Sequence, residues 1–307
     1  MTLASPADTT VHGAYPAQTR LAATRAEERP DYPFQGRIGT GEFPAEPDRY
    51  HLYSAWTCPY AQRTAITRSL LALEDVITLS YVDDDRDGRG WAFREHRGPD
   101  PVNGFAFLSE AYDATEPGYP GHISVPVLWD KFTGEIVSNH YPDITLDLAT
   151  RFEKWADPEV SLYPKKLRPQ IDELNDHIFE NVNTGVTRVA AARTQQEYED
   201  ARAKVIEAFE SLDARLADSR FLLGDSLTES DVRLWVSLIR FDAASNPQAG
   251  ISERTLKEFP RLWSYTRALY ELPAFRDTTD LEAVSRGATP LETPGVTRIR
   301  VEPSQPV

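Results

Sequence analysis

The chain has 307 residues, of which 33 are Lys or Arg and 48 Asp or Glu, a formal net charge of −15 at pH 7. So acidic a surface repels phosphate backbones and anionic lipid, which excludes nucleic acid and membranes as expected partners. A single cysteine, Cys58, excludes an internal disulfide, a paired-cysteine redox motif and a cysteine-rich zinc site.

In chain order, residues 1–48 carry Pro and Gly at short intervals (Pro30, Pro33, Gly36, Gly39, Gly41, Pro44, Pro47) and read as an N-terminal arm that wraps the body or stays loose. With no apolar leader in its first thirty residues and no apolar run approaching ~20 residues, the expectation is a cytoplasmic protein. Tyr50 to Ser54 is short and β-prone. It leads into Cys58-Pro59 and a helical run from Ala61 to Leu73, with Ile66, Leu70 and Leu73 on one face. Pro59 suits the first helical position, where its missing N–H costs nothing. Val76 to Val82 reads as a second strand, and Val125 to Trp129 and Glu135 to Val137 as a third and fourth joined by a hairpin. A helix follows from about Asp143 to Ala149.

From about residue 165 the pattern is helical only. Ile171, Leu174, Ile178 and Val182 recur at helical spacing, as do Tyr198, Ala201, Val205, Ala208, Leu212 and Leu216. Thr228 with Asp231 forms a capping-box start before Val232, Trp235, Leu238 and Ile239. A fourth helix spans roughly Thr255 to Tyr270. The layout is therefore an arm (1–48), an α/β domain (49–153), an all-helical domain (165–275) and a tail (276–307).

Two features carry chemistry. Cys58 falls between a strand and a helix, where unpaired N–H groups and the helix dipole favour thiolate over thiol. The bland alternative is a buried structural cysteine. Pro126, inside Val-Pro-Val, is either an edge-strand proline or a cis proline that presents the Val125 backbone to an extended ligand. Asp83-Asp84-Asp85-Arg86-Asp87 reads as a solvated acidic loop rather than a cation site. The six histidines lack ligand spacing, and no glycine-rich phosphate loop occurs, so neither metal nor nucleotide is expected.

The Cys-Pro turn, the strand order and the Val-Pro pair resemble the thioredoxin-like domain of glutathione transferases, followed by their all-helical domain. More specifically, residues 36–275 resemble the glutathionyl-hydroquinone reductases, the Xi class. Cys58-Pro59-Tyr60-Ala61-Gln62-Arg63 stands where that family has Cys-Pro-Trp-Ala-His-Arg. Gly90-Trp91-Ala92-Phe93, Val125 to Lys131, Ile136 to Asn139, Asn183 to Val186, Leu227 to Asp231 and Arg240-Phe241-Asp242 match as well. The resemblance implies that Cys58 attacks a thiol adduct of a hydroquinone and that a second thiol resolves the mixed disulfide. It further implies a thiol pocket of Trp91, His122, Val125, His140 and Tyr141, a quinol pocket of Tyr60, Thr187, Arg240 and Ser245, and a homodimer.

The departures are specific. His122 replaces an arginine expected to hold the glycyl carboxylate of glutathione, and His140-Tyr141 replaces a Glu-Ser pair expected at its γ-glutamyl head. Thr187 and Ser245 replace tyrosines expected at the quinol, and the tail lacks the family's His-Tyr-Tyr. An imidazole cannot pair with an ammonium as a carboxylate does, so these changes suit a low-molecular-weight thiol such as mycothiol. The alternatives are an ordinary glutathione-dependent hydroquinone reductase, with the substitutions neutral, and a non-catalytic binding module of the same fold.

Overall fold

Alternating β-prone and helical segments up to about residue 150, then helices alone, build two separate bodies in the computed structural model: residues 2–15 and 32–160, and residues 161–305 with 307. These are the residues the structure describes; the arm segment 16–31, Pro30 included, lies outside them.

In the first body a four-stranded sheet has the order β2-β1-β3-β4, with β1 (Tyr50–Ser54), β2 (Ile77–Tyr81), β3 (Val127–Asp130) and β4 (Glu135–Ser138). β1 runs parallel to β2 and antiparallel to β3, and β3 pairs antiparallel with β4. A parallel pair needs a crossover, and α2 (Pro59–Leu70) supplies it; α1 (Thr9–His12) precedes the sheet, while α3 (Ser109–Thr115) and α4 (Tyr141–Arg151) follow β2 and β4. β1 is buried along its whole length, as expected of a central strand covered on both faces. His51 within it is fully buried, its ring nitrogens 2.7 Å from Thr78 Oγ1 and 2.8 Å from Ser80 Oγ, and burial pushes its pKa down to about 3. It is a neutral sheet residue. The hairpin after β3 closes through Gly134, at φ 73°, whose N–H donates to Asp130 O over 2.9 Å.

Strand boundaries differ from the sequence reading by one or two residues. β3 starts at Val127 rather than Val125, because Pro126 has no N–H for the ladder. α2 begins at Pro59 and stops at Leu70, where Ala72 turns to φ 52°. The described parts of the arm wrap the body: Gly36 N–H donates to Val137 O and Asn139 N–H to Phe34 O, over 2.8 and 3.0 Å. The acidic loop is not a solvated one. Asp83, Asp84 and Asp87 are buried, and Arg97 and Arg89 form ion pairs with Asp84 and Asp87. No metal-binding group occurs among the described residues.

The second body is helical. α5 (Arg168–Ile178) passes through a π-helical turn, Phe179–Asn183, into α6 (Gly185–Ala191), and α7 (Gln195–Arg215) follows. α8 (Glu229–Arg240) likewise ends in a π-turn, Phe241–Ser245, before the short α9 (Asn246–Ala249). The expected helix from Thr255 to Tyr270 is broken: a 3₁₀ turn, Leu256–Glu258, precedes α10 (Pro260–Tyr270). Pro260 forbids an unbroken helix but fits the first turn of a new one. Two short helices, α11 (Pro273–Arg276) and α12 (Leu281–Ser285), complete it. The capping box at Thr228 is present as expected. Asp231 accepts from Thr228 N–H (2.7 Å), Leu222 N–H (3.0 Å) and Tyr265 O–H (2.8 Å), all buried. The tail is pinned by Arg298, which donates to Val189 O, Ala190 O and Ala249 O, and by Ile299 N–H to Tyr198 Oη. No helix among the described residues is long and apolar enough to cross a membrane.

Candidate active site

Cys58 caps α2 in extended backbone, φ −94° and ψ 114°, with Pro59 directly after it. Its side chain makes no cap hydrogen bond, so the sulfur is left to face other groups. Sγ lies 3.7 Å from Val125 O and donates to it as a thiol. The Val125-Pro126 bond is cis. Cys58 is half-buried and packs beside a buried cluster that includes Tyr53, Ala55, Trp91, Val125 and Trp129. The sequence reading thus placed Cys58, Trp91 and Val125 in one site, and the fold brings the three together from three separate segments.

A second group gathers at the start of α4. Tyr141 stacks on Tyr60 with centroids 4.5 Å apart and planes 28° from parallel, and the Arg63 guanidinium lies 5.0 Å and 5.4 Å from the two rings. Burial raises the Tyr60 phenol above its ordinary pKa, so it stays protonated and able to donate. Tyr141 is buried and holds the Tyr60 ring by packing, a role the sequence did not suggest for it. His140 Nδ1 lies 2.8 Å from Asp143 Oδ2, while Asp143 Oδ1 pairs with Arg37 at 3.2 Å. Arg37 is fixed by Asp147, whose carboxylate also accepts Ile38 N–H. Tyr32 sits against both rings, 6.0 Å from His140 and 6.2 Å from Tyr141.

His122 is half-buried four residues before the cis proline. Desolvation lowers its pKa, and the positive charge of Arg86 lowers it further, so it is a neutral imidazole at pH 7. Arg86 was missed by the sequence reading, hidden in a loop that looked merely acidic. Tyr32 and Arg37 were missed for the same kind of reason, since both lie in the stretch read as an arm. Aromatic and basic residues spaced through a Pro/Gly-rich segment were the signal available.

In the helical body, Thr187 lies in α6 with its hydroxyl 3.5 Å from Asn183 O. Arg240 closes α8 and donates to Val236 O over 3.0 Å. Ser245 ends the second π-turn. Arg240 and Ser245 bracket the second π-turn and Thr187 lies one helical turn beyond the first, and such distortions recur at functional sites. α6 packs on α9, which continues the Ser245 turn.

A thioredoxin-like sheet with a Cys-Pro helix start and a cis proline, joined in one chain to a helical body, is the architecture of glutathione transferases. The family described as glutathione S-transferase, C-terminal domain, matches residues 195–268. The chain is 36% identical over 252 residues to glutathionyl-hydroquinone reductase YqjG of Escherichia coli (strain K12), covering 81% of this chain and 77% of that one. It is 35% identical over 236 residues to glutathionyl-hydroquinone reductase PcpF of Sphingobium chlorophenolicum, covering 76% and 75%. Among solved structures, the glutathione S-transferase Xi of Phanerochaete chrysosporium superposes with a TM-score of 0.79 at 36% identity, over 83% of this chain and 89% of that one. Glutathione-bound YqjG from Escherichia coli K-12 superposes with a TM-score of 0.78 at 35% identity, over 82% and 85%. The chain belongs to the glutathionyl-hydroquinone reductases, thiol-dependent oxidoreductases that form the Xi class of the glutathione transferases.

Proposed function

We propose that this protein reduces thiol adducts of hydroquinones through Cys58, with glutathione as the thiol. The observation that carries the reading is the Cys58 sulfur at the N-terminus of α2, 3.7 Å from Val125 O and uncommitted to the helix cap. There the first turn of α2 directs its backbone N–H groups toward the sulfur's end of the helix. The thiolate attacks the sulfur of the adduct; the ring carbon–sulfur bond breaks, its electron pair stays on the ring carbon, and that carbon takes a proton. The product is free hydroquinone and a Cys58 mixed disulfide. A second thiol attacks the mixed disulfide, releases Cys58 and leaves as the oxidised disulfide. With no other cysteine in the chain, the resolving thiol has to come from solution.

Trp91 walls the thiol pocket, and the Val125 backbone pairs with the cysteinyl unit of the thiol. His122, His140 and Tyr141 complete the thiol side, Tyr141 by holding Tyr60. For the quinol, the helical body's candidates are Thr187, Arg240 and Ser245, where the smaller hydroxyls of Thr187 and Ser245 in place of phenols suit a bulkier electrophile. The protein acts in the cytoplasm as a homodimer.

One observation favours a second reading of the thiol. Asp143, the carboxylate adjoining His140, already has one oxygen on Arg37 and the other on His140. An ammonium group arriving there meets a neutralised carboxylate, which favours a hydroxyl-rich thiol such as mycothiol over the zwitterionic head of glutathione. Steady-state turnover of S-conjugated hydroquinones with each thiol in turn tests both readings. Cys58-dependent turnover with glutathione supports the first, turnover with mycothiol alone supports the second, and turnover with neither leaves the non-catalytic module.

A further inference from the structure

One buried phenol joins the segments that frame the nucleophile. Tyr112, in α3, is fully buried in the cluster that holds Trp91 and Val125 and against which Cys58 packs. Its O–H donates to Ser124 O over 3.0 Å and accepts Ser124 N–H over 3.2 Å, so one side chain grips both polar backbone groups of the residue before Val125. Asn139 Nδ2 donates to the same phenolic oxygen over 3.3 Å, and Asn139 immediately precedes His140. A phenol has one proton and two lone pairs, and all three are engaged here. Burial pushes the Tyr112 pKa up to about 12, so the proton on Ser124 O stays in place at neutral pH.

The grip falls where the sheet provides none. β3 begins at Val127 and Pro126 has no N–H, so Ser124 and Val125 lie outside the ladder with β1. Yet Val125 O is the group that meets Cys58 Sγ, at 3.7 Å. Ser124 O belongs to the same planar peptide unit as Val125 N–H, so holding that oxygen sets the direction of the N–H. α3 is itself moored to the sheet, with Thr115 Oγ1 accepting Ile136 N–H of β4 over 2.9 Å.

We propose that Tyr112 is a positioning residue for the thiol substrate, aiming the Val125 backbone at its cysteinyl unit. This rests on the Cys58 reading above and adds the residue that fixes the pairing edge. Without the phenol the Ser124–Val125 peptide is free to tilt. Docking of the glutathionyl unit then weakens, while sulfur exchange on the docked adduct proceeds as before.

The test is Tyr112→Phe, which removes one oxygen and keeps the ring against Phe34. The KM for S-glutathionyl hydroquinone should rise about tenfold, with kcat changed less than about threefold. Alkylation of Cys58 by iodoacetamide, which needs no backbone pairing, should keep its wild-type rate. Asn139→Ala removes one of the three bonds to the phenol and should raise the KM in the same direction by a smaller factor. Tyr265→Phe is the control for lost stability alone. Its phenol is also buried and donates to Asp231 over 2.8 Å in the helical body, so the thermal midpoint should fall with the KM unmoved. An unchanged KM in Tyr112→Phe or in Asn139→Ala, a matching rise in Tyr265→Phe, or a kcat that falls as far as the KM rises would overturn the proposal and leave the Cys58 reading intact. Failure of wild type to turn over the adduct would overturn the Cys58 reading, and the proposal with it.

Discussion

The two bodies solve different problems with different parts of the sequence. In the first, the proposed chemistry sits on backbone features and loops: a helix start at Cys58-Pro59 and a carbonyl before Pro126. In the second, the named polar residues are mostly used up by the fold, with Asp231 alone accepting from Thr228, Leu222 and Tyr265. Polar side chains near the nucleophile are thus expected to govern turnover and thiol choice, while buried ones such as Asp231 in the helical body govern stability. Loops carry function because a rigid scaffold leaves them free to vary.

The sharpest break of that contrast is Cys58→Ser. It should lower turnover by more than ~10³-fold, a loss of about 4 kcal/mol in transition-state stabilisation, with the thermal midpoint unchanged within error. Steady-state assays and a melting curve measure both; comparable activity in the variant would place the chemistry elsewhere. The counterpart in the helical body is Asp231→Ala. Removing this carboxylate strands several buried donors and a helix cap, so unfolding in urea should show a loss of about 3–5 kcal/mol. A variant that keeps its stability would show that those donors find other acceptors.

How much of this was legible in the sequence follows the same divide. The helices of the second body announced themselves by period, and Thr228 with Asp231 by spacing, because local chemistry alone specifies a cap. Cys58 and Pro126 were legible because proline beside a nucleophile or inside a strand has few structural uses. Tyr141 was not: its stacking on Tyr60 joins residues 81 positions apart, and only the sheet brings them together. Arg86 was hidden in a loop whose composition reads as acidic, and the rings on either side of it, Tyr15 and Trp91, come from separate segments. The break before Pro260 was visible as a residue, but the apolar period on either side outweighed it.

A finer prediction sharpens the comparison through pH. Burial raises Asp242 from 3.8 to about 6, although its carboxylate accepts Leu256 N–H. A carboxyl whose folded pKa lies above its unfolded one stabilises the fold most when protonated. That contribution is fully present below about pH 3.8 and is lost as pH rises through about 6. Relative to Asp242→Asn, wild type should lose about 1–3 kcal/mol of stability across this window. Urea titrations at stepped pH check it, and a flat difference would contradict the assignment. Asp87 runs the opposite way: Arg89 holds its carboxyl below the ordinary range, so its contribution is present above about pH 3.8 and lost in stronger acid.

The smallest expected effect concerns the head of the thiol. His140→Glu places a carboxylate beside Asp143 and should strengthen glutathione binding by about tenfold, near 1.4 kcal/mol, as read by calorimetry. Changing Tyr141 to Ser as well would remove the ring that stacks on Tyr60, and the stability lost there would mask the gain.

The central claim is that Cys58 carries the thiol during turnover, and a single-turnover mass measurement reaches it directly. Wild-type protein mixed with one equivalent of S-glutathionyl hydroquinone, with no free thiol, should gain the mass of one glutathionyl group on the peptide containing Cys58 while free hydroquinone is released in equal amount. Release of hydroquinone from protein whose Cys58 stays unmodified would contradict the account.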